Sequence, residues 1–352
     1  MTSRYIKRFT DIEIILPSPP AIQLGGVYHG EVYKCREMMD GRSIEIPGTR
    51  RLVLAHSDNI VTDTGLDHIG NHVAFAAYAH VGTGGAAEST TDNTLDTYVT
   101  SHAADGSYGG GYGQLSWTNQ SAPYWGNAQQ RYRFPPGFAG GAINIAEVGV
   151  STQAATGNLF SRALVRTGGV PTVAPVANDE YFDLYYTLRN YPGHVNNVTG
   201  ALDDGTGTVD IGGTTYNYTI RVSFITTNTL WGRNLFSGFN LSTGNQWYTR
   251  GEVAAPTATL GAINQGLQST EEVAGYFYTV AHALGTYTNG TYTNSITYTQ
   301  GLDDYNLLGG IQGFAGWSSI CAYQWILDGA VPKDNTKVLN WGFQGTWTRH
   351  TL

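Results

Sequence analysis

The sequence predicts a mainly β protein, with β-sandwich-like antiparallel sheets and a few short helices. Three observations lead there. Apolar residues recur in short runs or at alternate positions, as in Ile143, Ile145, Val148 and Val150, and again in Leu159, Ala163 and Val165. Gly, Pro and Asn bound these runs, the usual frame of a strand. Two glycine signals, Gly212-Gly213 and Asn289-Gly290, sit between alternating stretches. Both suit the positive φ angles of a two-residue hairpin turn.

The stretch 143–192 organises the rest. It ends in an aromatic run, Tyr181-Phe182-Asp183-Leu184-Tyr185-Tyr186-Thr187-Leu188, and Tyr191-Pro192-Gly193 stops the strand, since proline donates no ladder hydrogen bond. Phe160, Leu164, Leu184 and Leu188 are expected in the core.

Residues 1–55 read as an N-terminal extended arm with the first strands. Pro17, Pro19 and Pro20 favour an extended path. Ile12, Ile14 and Leu16 alternate as a short strand, which pairs either with a neighbouring subunit or with an edge of its own chain. Residues 56–200 read as a β-rich core with short helices. Ser57 or Asp58 would cap one helix, Asp63 or Thr64 would open the turn into Leu66 and Ile69, and Thr91 or Asp92 would cap another through Leu95 and Val99. Between them Val73, Phe75 and Ala77 alternate as a strand, ending at Gly82-Thr83-Gly84-Gly85. Residues 106–138 carry GSYGGGYG, Trp117 and Trp125, a glycine-tyrosine loop. Residues 201–352 read as a C-terminal β-rich region, continuous with the core or separate from it. From Gln268 to Leu284 the pattern fits helix and strand equally. The aromatic stretch from Trp317 to Trp347 closes the fold.

At 352 residues the chain suits one large β domain or two smaller ones. Charged residues are 13% of it, about half the ~25% usual for soluble domains, yet the mean hydropathy is -0.22. The polar surface must therefore be largely Thr, Asn, Ser, Gln, Gly and Tyr. Such a surface loses water cheaply, because few full charges have to be stripped, which suits a subunit with much of its surface in contacts. A net charge of -8 argues against a nucleic-acid partner, which asks for a basic face. No run of ~18 apolar residues occurs, so no membrane insertion by a helix is expected. Lys7 and Arg8 are followed by Asp11 and Glu13 and not by an apolar stretch, so no secretory leader is expected. Cys35 and Cys321 stand far apart and read as two buried free thiols, consistent with synthesis in a reducing cytoplasm.

The segments AEVGV, LFSRALV and DEYFDLYYTLRNYP, in that order, resemble a family of tailed-bacteriophage virion proteins described as tail or tail-fibre structural proteins. NIVTDTGLDHIG and HVGTGGAAESTTDNTLDTYV look like the same family's first half, so the resemblance covers roughly residues 56–225. WGFQG and its neighbours carry no such signal. His68 departs from the pattern, standing where Arg or another long polar residue is expected. The resemblance implies a non-enzymatic structural role in a phage tail (tip, baseplate periphery or tail-fibre base) and brings no catalytic residues. The expected location is the virion, and the expected partners are the chain itself, as a trimer, and other tail proteins. A host receptor- or glycan-binding tail protein, a polysaccharide depolymerase and a capsid decoration or head-fibre protein are the alternatives.

Candidate site residues are few. Tyr112, Trp117, Tyr124 and Trp125 form an expected contact surface, because aromatics in a loop stack on sugars or anchor in a partner's pocket. His68 and His72, four apart beside Asp67, would share one face of a helix as a metal pair, but no third ligand is evident and no metal is expected. Asp203-Asp204 and Asp303-Asp304 are paired acids that read as solvated loop residues, with Ca²⁺ binding or glycosidase chemistry as the sharper alternatives. No phosphate-loop, nucleophile-elbow, zinc-protease or dinucleotide motif is present, and no cofactor is expected.

Overall fold

The aromatic run forms one long strand, and the sheets grow outward from its pairing with a second. The computed structural model describes residues 11–18, 21–39, 41–71, 73, 75–105, 114–119, 125–192, 205–224, 251–254, 276–279, 282–304, 306, 308–317 and 321–350. In chain order the first strands are β1 (Ile12–Ile15), β2 (Ile22–Tyr33), β3 (Cys35–Glu37), β4 (Ser43–Glu45), β5 (Arg51–Asp58) and β6 (Ile60–Val61). Helix α1 (Asp63–Gly70) follows, then β7 (Tyr78–Gly82), β8 (Tyr98–Ala103), β9 (Gln114–Asn119) and β10 (Trp125–Phe134). The next group is β11 (Ile143–Ile145), β12 (Glu147–Ser151), β13 (Leu159–Leu164), β14 (Arg166–Thr167), β15 (Val170–Pro171), β16 (Ala174–Val176) and β17 (Tyr181–Pro192). Beyond these lie β18 (Gly205–Ile211), β19 (Thr214–Phe224), β20 (Gly251–Ala254), β21 (Tyr276–Thr279) and β22 (His282–Leu284). The last are β23 (Thr293–Gln300), β24 (Ile311–Trp317), β25 (Cys321–Val331) and β26 (Leu339–Arg349).

β17 pairs antiparallel with β2 along its whole length, from Tyr181 opposite Tyr33 to Pro192 opposite Ile22. Its other edge takes β10, which in turn takes β9. The far edge of β2 is shared: Ile22–Leu24 run parallel to β26, while Val27–Val32 pair antiparallel with β5. The sheet therefore forks at β2. It has nine strands in the order β22-β23-β26-β2-β17-β10-β9, with β1 on β26 and β5 on β2, and it curls into a half-barrel. β1 runs parallel to β26 of its own chain, Ile12 opposite Leu339, so the alternating Ile12 and Ile14 do form a strand.

A five-stranded sheet, β6-β13-β12-β7-β8, lies over the inner face of β2, β17 and β10, giving the expected sandwich. Phe182, Leu184, Tyr186 and Leu188 alternate inward from β17 and are fully buried, as is Phe160 on β13, whereas Leu164, expected in the core, is buried on the other face of β13 beside Glu147. Burying each such side chain is worth about 1.5–3 kcal/mol. A bulge sharpens the fit: Val150 faces Ser161 while Ser151 faces Leu159, leaving Phe160 as the extra residue. Phe160 and Ser161 then both reach the opposite sheet, Phe160 edge-on to Tyr186 and Ser161 Oγ 2.6 Å from Tyr28 Oη. Leu159 and Arg162 are left for the other face.

A six-stranded sheet, β18-β19-β25-β24-β20-β21, completes the fold. Trp325 of β25 meets Phe343 of β26 at 4.8 Å between ring centres, and Phe314 of β24 meets Trp341 at 5.2 Å. Trp341 also stacks on Tyr298 of β23. The C-terminal aromatics thus close the core. Gly212 and Gly213, at φ 60° and 82°, form the two-residue turn between β18 and β19, with Ile211 opposite Thr214.

Several expectations change. The stretch read as a glycine-tyrosine loop contains two strands, β9 and β10, which carry Trp117 and Trp125. Among the described residues α1 is the one helix, so the few short helices reduce to one. Ser57 and Asp58 end β5, and the helix cap is Thr62, whose Oγ1 accepts from the Gly65 N–H at 2.9 Å. The second helix does not form: residues 91–97 are irregular and Val99 belongs to β8. The Glu147 carboxylate explains this, since it accepts the N–H groups of Gly84, Asp96 and Thr97 and so fills the role of a helical ladder. The strand read from Val73 starts only at Tyr78, because Phe75 turns inward to stack on Phe160 at 4.0 Å. Asn289-Gly290 does make a turn, with Gly290 at φ 81°, but the flanking Thr-Tyr-Thr runs do not pair with each other and the ladder between them begins at Leu284 opposite Ile296. Tyr287 and Tyr292 are drawn away to α1, donating to Asp67 at 2.6 Å and Asp63 at 3.2 Å. The ambiguous stretch resolves as strand at β21 and β22, while 268–275 lies outside the described residues. Cys35 is half-buried and free; its thiol is pushed up by burial, then by Glu45.

Candidate functional site

Alternation along β17 gives it two faces. Tyr181, Asp183, Tyr185, Thr187, Arg189 and Tyr191 point away from the sandwich core. Register places Tyr33, Glu31 and His29 of β2 beside the first three of these, and Arg133, Arg131 and Gln129 of β10 beside Asp183, Tyr185 and Thr187. The result is a half-buried polar face on the largest sheet.

Rings pair across the strands. Tyr33 stacks on Tyr181 at 5.5 Å and His29 on Tyr185 at 4.3 Å, each within 11° of parallel. At the far end Tyr191 stacks on His350 at 3.7 Å. Cross-strand aromatic pairs of this kind contribute about 0.2–1 kcal/mol each. His56 of β5 meets His29 edge-on at 5.6 Å. His29 is held below the ordinary imidazole value, first by burial and then by His56, with Glu31 opposing.

Most charges on this face are paired, while the Arg189 Nε has no hydrogen-bond partner among the described residues. Asp183 is fully buried and receives two parallel bonds from Arg133, Nε at 2.9 Å and Nη2 at 3.0 Å. Arg50 bonds Glu31 at 2.7 Å and forks onto Glu45 at 3.0 and 2.6 Å, while its guanidinium lies 4.0 Å above the Tyr33 ring. Arg131 bonds Asp105. The face therefore presents planar guanidinium and phenol groups with little net charge.

Of the expected contact residues, Trp125 belongs here. It is half-buried at the start of β10, with the Arg189 guanidinium 4.6 Å from its ring centre. Trp117 lies on β9 with its backbone opposite Gly126. Tyr112 and Tyr124 lie outside the described residues, as do His72, Asp203 and Asp204. The other candidates serve the fold. His68 Nε2 is 3.3 Å from the Asn158 carbonyl, and Asp67 holds the Tyr287 hydroxyl and the Gly290 N–H. Asp304 accepts from the Gly301 N–H at 2.8 Å. Lys333 nearby is buried and donates to the Gly301 and Asp304 carbonyls and to Asn306 Oδ1, so an ammonium already occupies that loop. Among the described residues no three His, Cys, Asp or Glu side chains converge as a metal site.

One buried cluster had no sequence signal. Glu147 and Arg162 face each other on the side of the second sheet away from the core, both essentially unexposed. Arg162 bonds Glu147 at 2.9 Å and Asp92 at 2.7 Å, strapping residues 83–97 over the sheet. The two-faced character of β17, by contrast, is written in its period-two pattern. Comparison with protein-family models, with curated proteins and with solved structures finds no match for this chain.

Proposed function

We propose that the chain is a non-enzymatic structural protein of a tailed-bacteriophage virion, placed in the tail and acting by self-association and by docking other tail proteins. The resemblance over roughly residues 56–225 supplies the phage context. The outer face of β2, β17 and β10 is the observation that carries the docking part. Its Arg, Tyr and Trp side chains are the types enriched at protein contacts. Most of its charges are paired within the chain, so covering it strips fewer unpaired ions of water than covering an ordinary charged surface. A homotrimer is the expected assembly.

Antibodies raised against the purified chain and applied to intact phage particles test this reading. Decoration of the tail is the expected result. Decoration of the head moves the chain to the capsid, and particles without the chain overturn the virion reading.

A further inference from the structure

On the outer face Arg50, Arg131 and Arg133 each hold a carboxylate. Arg189 holds none among the described residues. Its guanidinium lies 4.6 Å from the Trp125 ring centre, and its Nε has no hydrogen-bond partner. Gly25 stands beside it in register. A Cβ there would lie 3.4 Å from His350 Cβ and 3.5 Å from Tyr191 Cε2, so the missing side chain lets the Tyr191–His350 stack lie against the strand. The His350 imidazole is held below its ordinary value by burial and then by Arg189. Among the described residues Arg189 is therefore the standing charge at this end of the face near neutral pH. The same sheet carries the opposite feature. Glu13 and Ile15 of β1 are exposed, Ile15 at 84%, with Ile14 buried between them. Glu13 stands opposite Asn340 of β26, and Gln23 of β2 opposite Thr348. Alternation along β26 puts residues 340 and 348 on one side, so Glu13, Gln23 and Arg189 share the outer face. Those eight residues of strand span roughly 26 Å, which holds Glu13 away from Arg189 within one chain. Glu13 likewise has no partner among the described residues.

We propose that a second copy of this chain docks here through β1, its Glu13 carboxylate on the Arg189 guanidinium and its Ile15 side chain against the Trp125 ring. The contact rests on the self-association part of the proposed function and gives it named residues. A planar guanidinium takes a carboxylate through two parallel bonds, and Arg189 has its donors unspent. Arginine and tryptophan together are the side chains that most often anchor a protein contact. At -8 per copy the chains repel overall, so a local pair of opposite charges fixes which surfaces meet. Each copy carries both halves apart on one face, so the contact runs head to tail and closes a ring.

Sedimentation velocity across a concentration series tests the pair. The chains compared are the wild type, Arg189→Glu, Glu13→Arg and the double exchange, each checked for folding by its thermal midpoint. Either single change should weaken association about tenfold or more, and the double exchange should restore it to within about threefold. Arg189→Gln and Glu13→Gln are the milder changes and decide the matter where a reversed charge prevents folding. Both should weaken association and flatten its salt dependence. Wild-type association in either glutamine variant overturns the proposal. So does a folded double exchange that associates no better than the single changes. In both cases the wild type still assembles and the docking reading stands, whereas a wild type that is monomeric throughout removes the two together.

Discussion

At the scale of single residues, the molecule relies on buried polar groups that sequence patterns do not mark. Glu147 looks like one acid among many, yet it satisfies three backbone amides and Arg162 at once. Removing one partner of such a pair leaves a buried charge uncompensated, at about 3–5 kcal/mol. Glu147→Gln should therefore lower unfolding free energy by that amount in urea titration, and a loss below about 1 kcal/mol contradicts the network. Protonation gives a second residue-scale prediction. His29, His68, His80 and His350 are each held below the ordinary 6.5, in every case chiefly by burial. The folded state thus refuses protons that the unfolded chain accepts. Their contribution is complete above the ordinary value and is lost as pH falls through the depressed folded values. Burial alone would raise Glu88, but Arg166 and the Leu164 amide hold its carboxyl below its usual value, so its share is lost at still lower pH. The thermal midpoint should fall between about pH 7.5 and about pH 5.5; a flat midpoint contradicts neutral buried imidazoles.

At the scale of elements, periodicity revealed what it physically controls. β17 was legible because its inward residues are apolar at every second position, and Gly212-Gly213 because the turn itself requires positive φ. The helix at 92–99 was misread because capping residues signal the same local bonds whether a ladder follows or a distant carboxylate does. Asn289-Gly290 gave the turn and not the hairpin, since pairing of its flanks loses to the hydroxyl bonds onto α1. The bulge at Phe160 left no mark, because an extra residue in a strand is visible only against its partner. The outer face of β17 was legible in the alternation, whereas the buried cluster of Asp92, Glu147 and Arg162 joins separate segments and was not. One consequence separates framework from contact. Leu184→Ala or Leu188→Ala should cost about 2–5 kcal/mol and reduce soluble yield. Trp125→Ala should stay soluble and weaken association. Harmless leucine changes together with an insoluble Trp125→Ala would reverse that division.

At the scale of the whole molecule, low charge and the forked sheet belong together. β2 shares one edge between β5 and β26 while β17 fills the other completely, and this leaves one broad outer face over β2, β17 and β10. Under the proposed function this face is covered in the assembled protein. Hydroxyl-radical footprinting of the purified chain, run alongside light scattering across a concentration series, tests it most directly. An oligomer is expected at high concentration, with Trp125, Tyr181 and Tyr185 losing oxidation as it forms. A chain that stays monomeric throughout, with those three side chains oxidised equally at every concentration, would contradict it.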